Sequence, residues 1–270
     1  MEVLENIKIV FIDLDGTLLN DKKRISLKTR CSIKKLVSKG VYVVVASGRN
    51  CKFSVDKSRK ALASKIVISS NGAEIYDYHK KNALFNSYIE FSKLEDIWNY
   101  CNKHEIGVIF NSISGIYINK YLIDNYDYKT KLLTSVKELK KLDVSQMVIS
   151  VNNYGKILKM EDYIKKIGLD VAYFSKSYDY TMVAHKCSLD AINEGVSKGS
   201  AIEKLLEILD IKKEESLCFG DYINDLDMFD ACGYKVAMEN ACDELKDKAD
   251  FVTLSNNNNG VAYFIDNYLL

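Results

Sequence analysis

Residues 7–19 constrain this chain most. The apolar run from Ile7 to Ile12 drives straight into Asp13 and Asp15, two carboxylates separated by Leu14, and then into Gly16. A short apolar run that ends in a charged turn reads as a strand buried in a sheet. Residues i and i+2 of a strand share a face, and ligand sites of parallel α/β sheets gather at the carboxyl ends of strands. Asp13 and Asp15 are therefore candidate site residues. A turn at Gly16 would let Asp15 swing away to a separate task. Taken alone, the pair reads equally well as a solvated turn.

The 270 residues are enough for one large core or two smaller ones. Lys plus Arg number 38 against 37 Asp plus Glu. That balance excludes the basic field needed to hold a phosphate backbone, so no nucleic-acid partner is expected. No apolar run approaches the ~20 residues of a membrane span. The first six residues lack the basic and apolar regions of a signal peptide. A cytoplasmic protein without a membrane partner is expected. Seven cysteines, never spaced C-x-x-C, and three scattered histidines argue against a disulfide framework, a zinc knuckle or a histidine metal site. Proline is absent, so Gly, Asn and Asp must make the turns.

Strands are expected at Ile7–Ile12, Val41–Val45 and Ile66–Ile68, with helices between them, the first capped by Ser26. This alternation predicts a parallel sheet with right-handed crossovers. Glu74–Tyr78 and Ala83–Tyr88 flank His79–Asn82 as a hairpin expected to leave the core. From there to Lys186 the strands are shorter and alternate more, predicting a half-exposed sheet under two helices. The first of these is read as capped at Ser92 by a Ser-x-x-Glu box. Five strands are expected in that sheet, ending with Thr181–Ala184. Beyond it, Ser200-Ala201-Ile202-Glu203 reads as another such box. A strand at Ser216–Phe219 runs into Gly220-Asp221. Asn256–Asn259 is the one low-complexity patch and reads as a loop.

Four strings stand in order along the chain: Asp13-Leu14-Asp15-Gly16-Thr17-Leu18, Val45-Ala46-Ser47-Gly48-Arg49, Ser197-Lys198-Gly199 and Gly220-Asp221-Tyr222-Ile223-Asn224-Asp225. Together they resemble the four motifs of the haloacid dehalogenase-like phosphatases. Their spacing resembles the Cof-type branch, subfamily IIB. The resemblance implies an α/β fold, a Rossmann-like parallel-sheet core with an inserted α/β cap. The core would take 1–85 and 187–270, and a substrate-specificity cap 86–186.

It further implies Mg²⁺-dependent hydrolysis of small phosphate monoesters, such as sugar phosphates, flavin mononucleotide or pyridoxal phosphate, through an aspartyl-phosphate. A phosphotransferase is the alternative, and a non-catalytic sensing module the third reading. On this resemblance Asp13 is the nucleophile and Asp15 the acid and base. Asp13, Asp221 and the backbone carbonyl of Asp15 hold Mg²⁺. Leu14, Ser47, Gly48, Lys198 and Asn224 receive the phosphoryl group, with Asn224 alternatively bonded to Lys198. Asp225, one turn beyond Asp221, supports the metal residues from behind. Arg49 binds substrate or locks the two domains, and both readings stay open. Acid chemistry needs Asp15 partly protonated, which clustered like charges would favour. The insert contains no arginine. Tyr117, Tyr121, Tyr126, Tyr128, Phe174, Tyr178 and Tyr180 are its aromatic candidates for a pocket mouth.

Overall fold

The computed structural model describes residue 4 and residues 6–125, 130–151, 154–177 and 186–270. The chain divides into two compact units. One comprises Met1–Phe85 and Ser197–Leu270, the other Asn86–Val196.

In the first unit the chain alternates β1 (Ile9–Ile12), α1 (Leu27–Ser38), β2 (Tyr42–Ala46), α2 (Cys51–Ala61) and β3 (Ile66–Ser69). β4 (Glu74–Asp77) and β5 (Asn82–Asn86) follow. The second unit holds α3 (Phe91–His104), β6 (Gly107–Ser112), β7 (Gly115–Ile118), β8 (Lys131–Leu132), β9 (Val144–Val151), α4 (Tyr154–Lys166), β10 (Leu169–Ser177) and β11 (Lys186–Asn193). The chain then returns with α5 (Lys198–Leu209), β12 (Ser216–Gly220), α6 (Leu226–Ala231), β13 (Tyr234–Ala237), α7 (Asp243–Lys246), β14 (Phe251–Val252) and α8 (Gly260–Phe264).

The first sheet has the order β14-β13-β12-β1-β2-β3-β4-β5. β1 lies parallel between β12 and β2, with Phe11 opposite both Cys218 and Val44. Its residues alternate between two cores. Val10 and Ile12 pack with Ile33, Leu36 and Phe264, while Ile9 and Phe11 pack with Ile202, Leu205 and Phe229. A strand covered on both faces has no polar side, which is why β1 and β2 read as continuous apolar runs. The chain leaves β1 for β2 on one side and reaches β12 on the other. That reversal of strand order makes the carboxyl end of β1 the topological switch point, where open α/β sheets bind ligands.

The expected hairpin at 74–88 does not leave this core. β4 pairs antiparallel with β3 through Ile75 and Ile68, and the pair β4-β5 extends the same sheet. Ile75 is fully buried there, which anchors the hairpin.

Among the described residues, the second sheet has six strands in the order β10-β11-β9-β6-β7-β8. Leu94, Ile97 and Cys101 of α3 and Ile157, Met160 and Ile164 of α4 pack on Val108, Phe110, Met147 and Ile149. The expected boundary at 186/187 falls ten residues early. β11 pairs antiparallel with both β9 and β10, so residues 186–193 belong to the second sheet and the units part at 196/197. The expected strand at Thr181–Ala184 lies outside the described residues.

Two caps also differ from expectation. α3 begins at Phe91 with Glu90 at its cap, placing Ser92 inside the helix. α5 is capped by Ser197, whose hydroxyl accepts from the Ser200 amide, so Ser200 is the partner in the box and not its start. The shift makes Lys198 the first residue of α5.

The asparagine patch is a clasp. Asn256 donates its side-chain amide to the Leu19 carbonyl at 3.0 Å and to Asp21 at 3.1 Å. Asn257 both donates to Asp21 at 2.8 Å and accepts from its backbone amide at 3.2 Å. These bonds tie down the loop that follows β1.

Candidate active site

Four loops converge where the parallel strands end. Asp13 follows β1, Ser47 follows β2, Asp221 follows β12, and Lys198 opens α5. The Asp13 amide still donates to Phe219 in sheet fashion, at 3.1 Å. The chain then folds back sharply, the Leu18 and Leu19 amides donating to the Asp13 and Leu14 carbonyls at 3.1 and 2.8 Å. Gly16 makes that turn possible with φ of +87°, and a side chain there would collide with the Asp221 carboxylate. Gly16→Ala should therefore displace Asp221. We expect a loss of about 10²-fold or more in kcat/KM and about 1–3 kcal/mol of stability, read by steady-state kinetics and thermal melting.

Lys198 is the hub. Its ammonium donates to Asp13 Oδ1 at 2.6 Å and to Asp225 Oδ1 at 2.7 Å, and all three side chains are almost wholly buried. The α5 terminus is moored by Asp227, which accepts from the Gly199 amide at 3.2 Å. Asp225 does not reach the site by one helical turn as the spacing suggested. A 3₁₀ turn over Ile223–Asp225 folds its Oδ2 back onto the Asp221 and Tyr222 amides, at 3.0 and 3.3 Å. Those bonds orient Asp225 and fix the course of the Asp221 loop. Asn224 lies in the same turn, but Asp225 is the residue there that receives the lysine. Thr17 donates to Asp221 Oδ1 at 2.8 Å. Asn240 donates to the Gly16 carbonyl at 2.9 Å. Neither contact was anticipated, although Thr17 stands directly after the Asp-x-Asp-Gly string.

Carboxylate oxygens of Asp13, Asp221 and Asp225 lie within 4.8 Å of one another, close enough to hold a metal ion. Three carboxylates facing one ammonium leave two negative charges uncompensated. Burial and the Asp225 and Asp221 charges push Asp13 well up, against the pull of Lys198. Burial and the Asp225 charge push Asp221 up to about 7, although the Thr17 hydroxyl draws it down. Burial would push Lys198 down, but the charges of Asp13 and Asp225 outweigh it and keep the ammonium protonated.

Asp15 points elsewhere. Arg49 Nε donates to its Oδ2 at 2.8 Å and Lys23 to its Oδ1 at 2.6 Å. Burial raises its proton affinity, but these two donors and their charges prevail and hold the carboxyl below its usual range. The expectation that clustered carboxylates would keep Asp15 partly protonated is thus corrected. The like charges act on Asp13 and Asp221, whereas Asp15 sits between two cations. Arg49 also lies 5.4 Å over the Phe53 ring. Ser47 is buried and its hydroxyl accepts from the Arg49 amide at 3.2 Å.

Among the aromatic candidates, Tyr117 is buried in the helix-covered core of the second unit and meets Ser114 at 3.1 Å, so it is a packing residue. Tyr121 donates to the Asn102 carbonyl at 3.2 Å. Tyr126, Tyr128, Tyr178, Tyr180 and the Phe174 side chain lie outside the described residues. Among the described residues, no helix is long and apolar enough to cross a membrane.

A Rossmann-like sheet with an acidic cluster and a buried lysine at its switch point defines an α/β protein with a ligand site at the ends of its parallel strands. The comparisons with known proteins agree. The family model of the haloacid dehalogenase-like hydrolases matches residues 10–265. The chain is 30% identical over 294 residues to the 5-amino-6-(5-phospho-D-ribitylamino)uracil phosphatase YwtE of Bacillus subtilis (strain 168), covering 97% of this chain and 98% of that protein. A haloacid dehalogenase-like hydrolase from Bacteroides thetaiotaomicron shares the structure with a TM-score of 0.81 at 25% identity, over 96% and 98% of the two chains. A subclass IIB sugar phosphatase shares the fold with a TM-score of 0.76 at 21% identity, over 96% and 98%. The chain belongs to the haloacid dehalogenase-like hydrolases and is a phosphatase.

Proposed function

We propose that this phosphatase hydrolyses small phosphate monoesters with Mg²⁺ and an aspartyl-phosphate formed on Asp13. The observation that carries the reading is the buried Lys198 bonded to Asp13 beside Asp221 and Asp225. A hard divalent cation fits this donor set. The oxygens are carboxylates, two negative charges await compensation, and a cation would relieve the pressure that raises Asp13 and Asp221. Asp13, Asp221 and the Asp15 carbonyl would hold it, with Asp225 aligned behind them by its bonds to Lys198 and the Asp221 amide. When bound, Mg²⁺ offsets the repulsion between the nucleophile and an anionic phosphoryl group.

The residues divide the work as follows. Asp13 attacks phosphorus while the bond to the ester oxygen breaks, and Asp15 gives its proton to that oxygen. Water then attacks phosphorus and passes a proton to Asp15 as the bond to Asp13 breaks, releasing phosphate. An ionised Asp15, as Arg49 and Lys23 hold it, is the form that accepts this proton. Re-pairing of the two cations with the anionic ester lets Asp15 regain the proton needed for the first step. Lys198 spends two of its three hydrogens on Asp13 and Asp225 and offers the third to a phosphoryl oxygen. Ser47, Gly48, the Leu14 backbone and Asn224 would receive the remaining phosphoryl oxygens.

The second unit would act as the substrate-specificity cap. Sugar phosphates, flavin mononucleotide, pyridoxal phosphate and the phosphorylated ribitylaminouracil of the Bacillus subtilis relative's name form the test panel. Phosphate release is measured for each with Mg²⁺ and with EDTA. Release with Mg²⁺ alone supports the reading, and no release from any ester refutes it.

The metal assignment also predicts a pH signature. Burial and the Asp225 charge push Asp221 up to about 7 in the fold, from an ordinary value of 3.8. A raised carboxyl contributes stability below its unfolded value and loses that contribution as pH rises through the folded one. Metal-free protein should therefore lose stability between about pH 4 and pH 7 on this account. Added Mg²⁺, competing with the proton, should raise Tm more at pH 8 than at pH 5.5. Equal shifts at both pH values in calorimetry would contradict it.

A further inference from the structure

Three consecutive residues after β3, Ser70, Asn71 and Gly72, have φ of +52°, +54° and +98°. Left-handed backbone is adverse for Ser, tolerated by Asn and natural only for Gly. A run of three persists only where the surroundings over-determine it, and such runs gather at functional sites. Here the surroundings are two of the loops already described. The Ser70 amide donates to the Arg49 carbonyl at 2.9 Å and the Asn71 amide to the Ser47 carbonyl at 3.2 Å, so the two bonds straddle Gly48.

Asn71 is buried, and its carboxamide lies against Gly48 so closely that a Cβ there would stand 2.7 Å from Oδ1. At Gly72 a side chain would strike the carbonyl of Ser197, the residue whose hydroxyl caps α5 ahead of Lys198. Behind the run, Ser69 and Ser70 donate to Glu74 Oε2 at 2.9 and 3.4 Å. The tripeptide therefore spans the Ser47–Arg49 turn and the end of α5 that carries Lys198.

We infer that Asn71 is a positioning residue for phosphate recognition, holding the Ser47-Gly48 turn in register with Lys198 so that both meet one phosphoryl group. This inference rests on the proposed phosphatase site. Its ligand is the phosphoryl dianion common to every ester and to inorganic phosphate, so Asn71 sets affinity for phosphate and not the choice of leaving group.

The test uses Asn71→Asp, which keeps the size and tolerance of left-handed backbone, and Asn71→Gly, which relaxes the backbone and removes the carboxamide. The inhibition constant of inorganic phosphate, the half-saturating Mg²⁺ concentration, kcat and KM across several esters, and Tm are measured for each. Both variants should raise KM for every ester and the phosphate inhibition constant by about 10- to 100-fold. Half-saturating Mg²⁺ should stay near the parent's, and the ranking of esters should not change. A lowered Tm with an unchanged phosphate constant would show a turn residue alone and overturn the inference. So would variants equal to the parent in every measure. A parent that neither releases phosphate nor is inhibited by it would instead bring down the phosphatase site, and this inference with it.

Discussion

Replacing Lys198 with methionine is expected to lower kcat/KM by about 10²–10³-fold or more and to remove about 3–5 kcal/mol of stability. The size follows from burial. The ammonium bonds Asp13 and Asp225 where water does not reach, and its removal leaves two carboxylates and their neighbour Asp221 without a cation. Methionine fills the volume and keeps the helix, so the loss isolates the charge. In thermal melts the fall should be roughly 6–20 °C, partly recovered by Mg²⁺. An unchanged Tm would mean that Lys198 does not neutralise the cluster.

Asp13→Asn should have the opposite profile. Turnover should fall by at least about 10⁴-fold, since the group that forms the covalent bond is gone. Stability should hold or rise, because a buried carboxylate crowded by Asp221 and Asp225 becomes neutral. Lys198 keeps Asp225 as its partner. A variant that melts well below the parent would contradict the view that Asp13 is held under electrostatic pressure. Substantial residual turnover would remove it as nucleophile.

Much of this site is visible in the chain before any coordinates. Apolar runs that end at Asp13, Ser47 and Asp221 mark strand ends, and strand ends of a parallel sheet face one another across the switch point. What local pattern does not carry is the partner of each polar group. Asp15 pairs with Arg49, 34 residues away, and so escapes the crowding that a reading of neighbouring carboxylates assigns to it. Asn257 reads as loop by composition, yet it clasps Asp21 across 236 residues.

The Ser-x-x-Glu box at Ser92 failed for a related reason. The pattern also fits the interior of a helix, and α3 starts earlier, at Phe91, with Glu90 as its cap. The expected boundary at 186/187 left residues 187–193 with the core. Their alternation instead suits a sheet with one helix-covered face, and Leu189 and Ala191 supply that face. The left-handed run at Ser70–Gly72 has only its asparagine and glycine as a signal. Its purpose appears once the Ser47–Arg49 turn and α5 are seen beside it.

The central claim is that Asp13 becomes phosphorylated. Rapid acid quench of the Asp15→Asn variant during turnover of an aryl phosphate, whose phenolate leaves without the proton Asp15 would supply, followed by mass spectrometry of its peptides, tests it most directly. That variant should accumulate the intermediate, since the residue proposed to accept the proton from water is gone. The expected result is one phosphoryl group on the peptide containing Asp13, formed with a burst of released phenol and absent when Asp13 is also replaced by Asn. A phosphoryl group on any other residue, or phenol release in parallel with phosphate and no phosphoenzyme, would contradict the account.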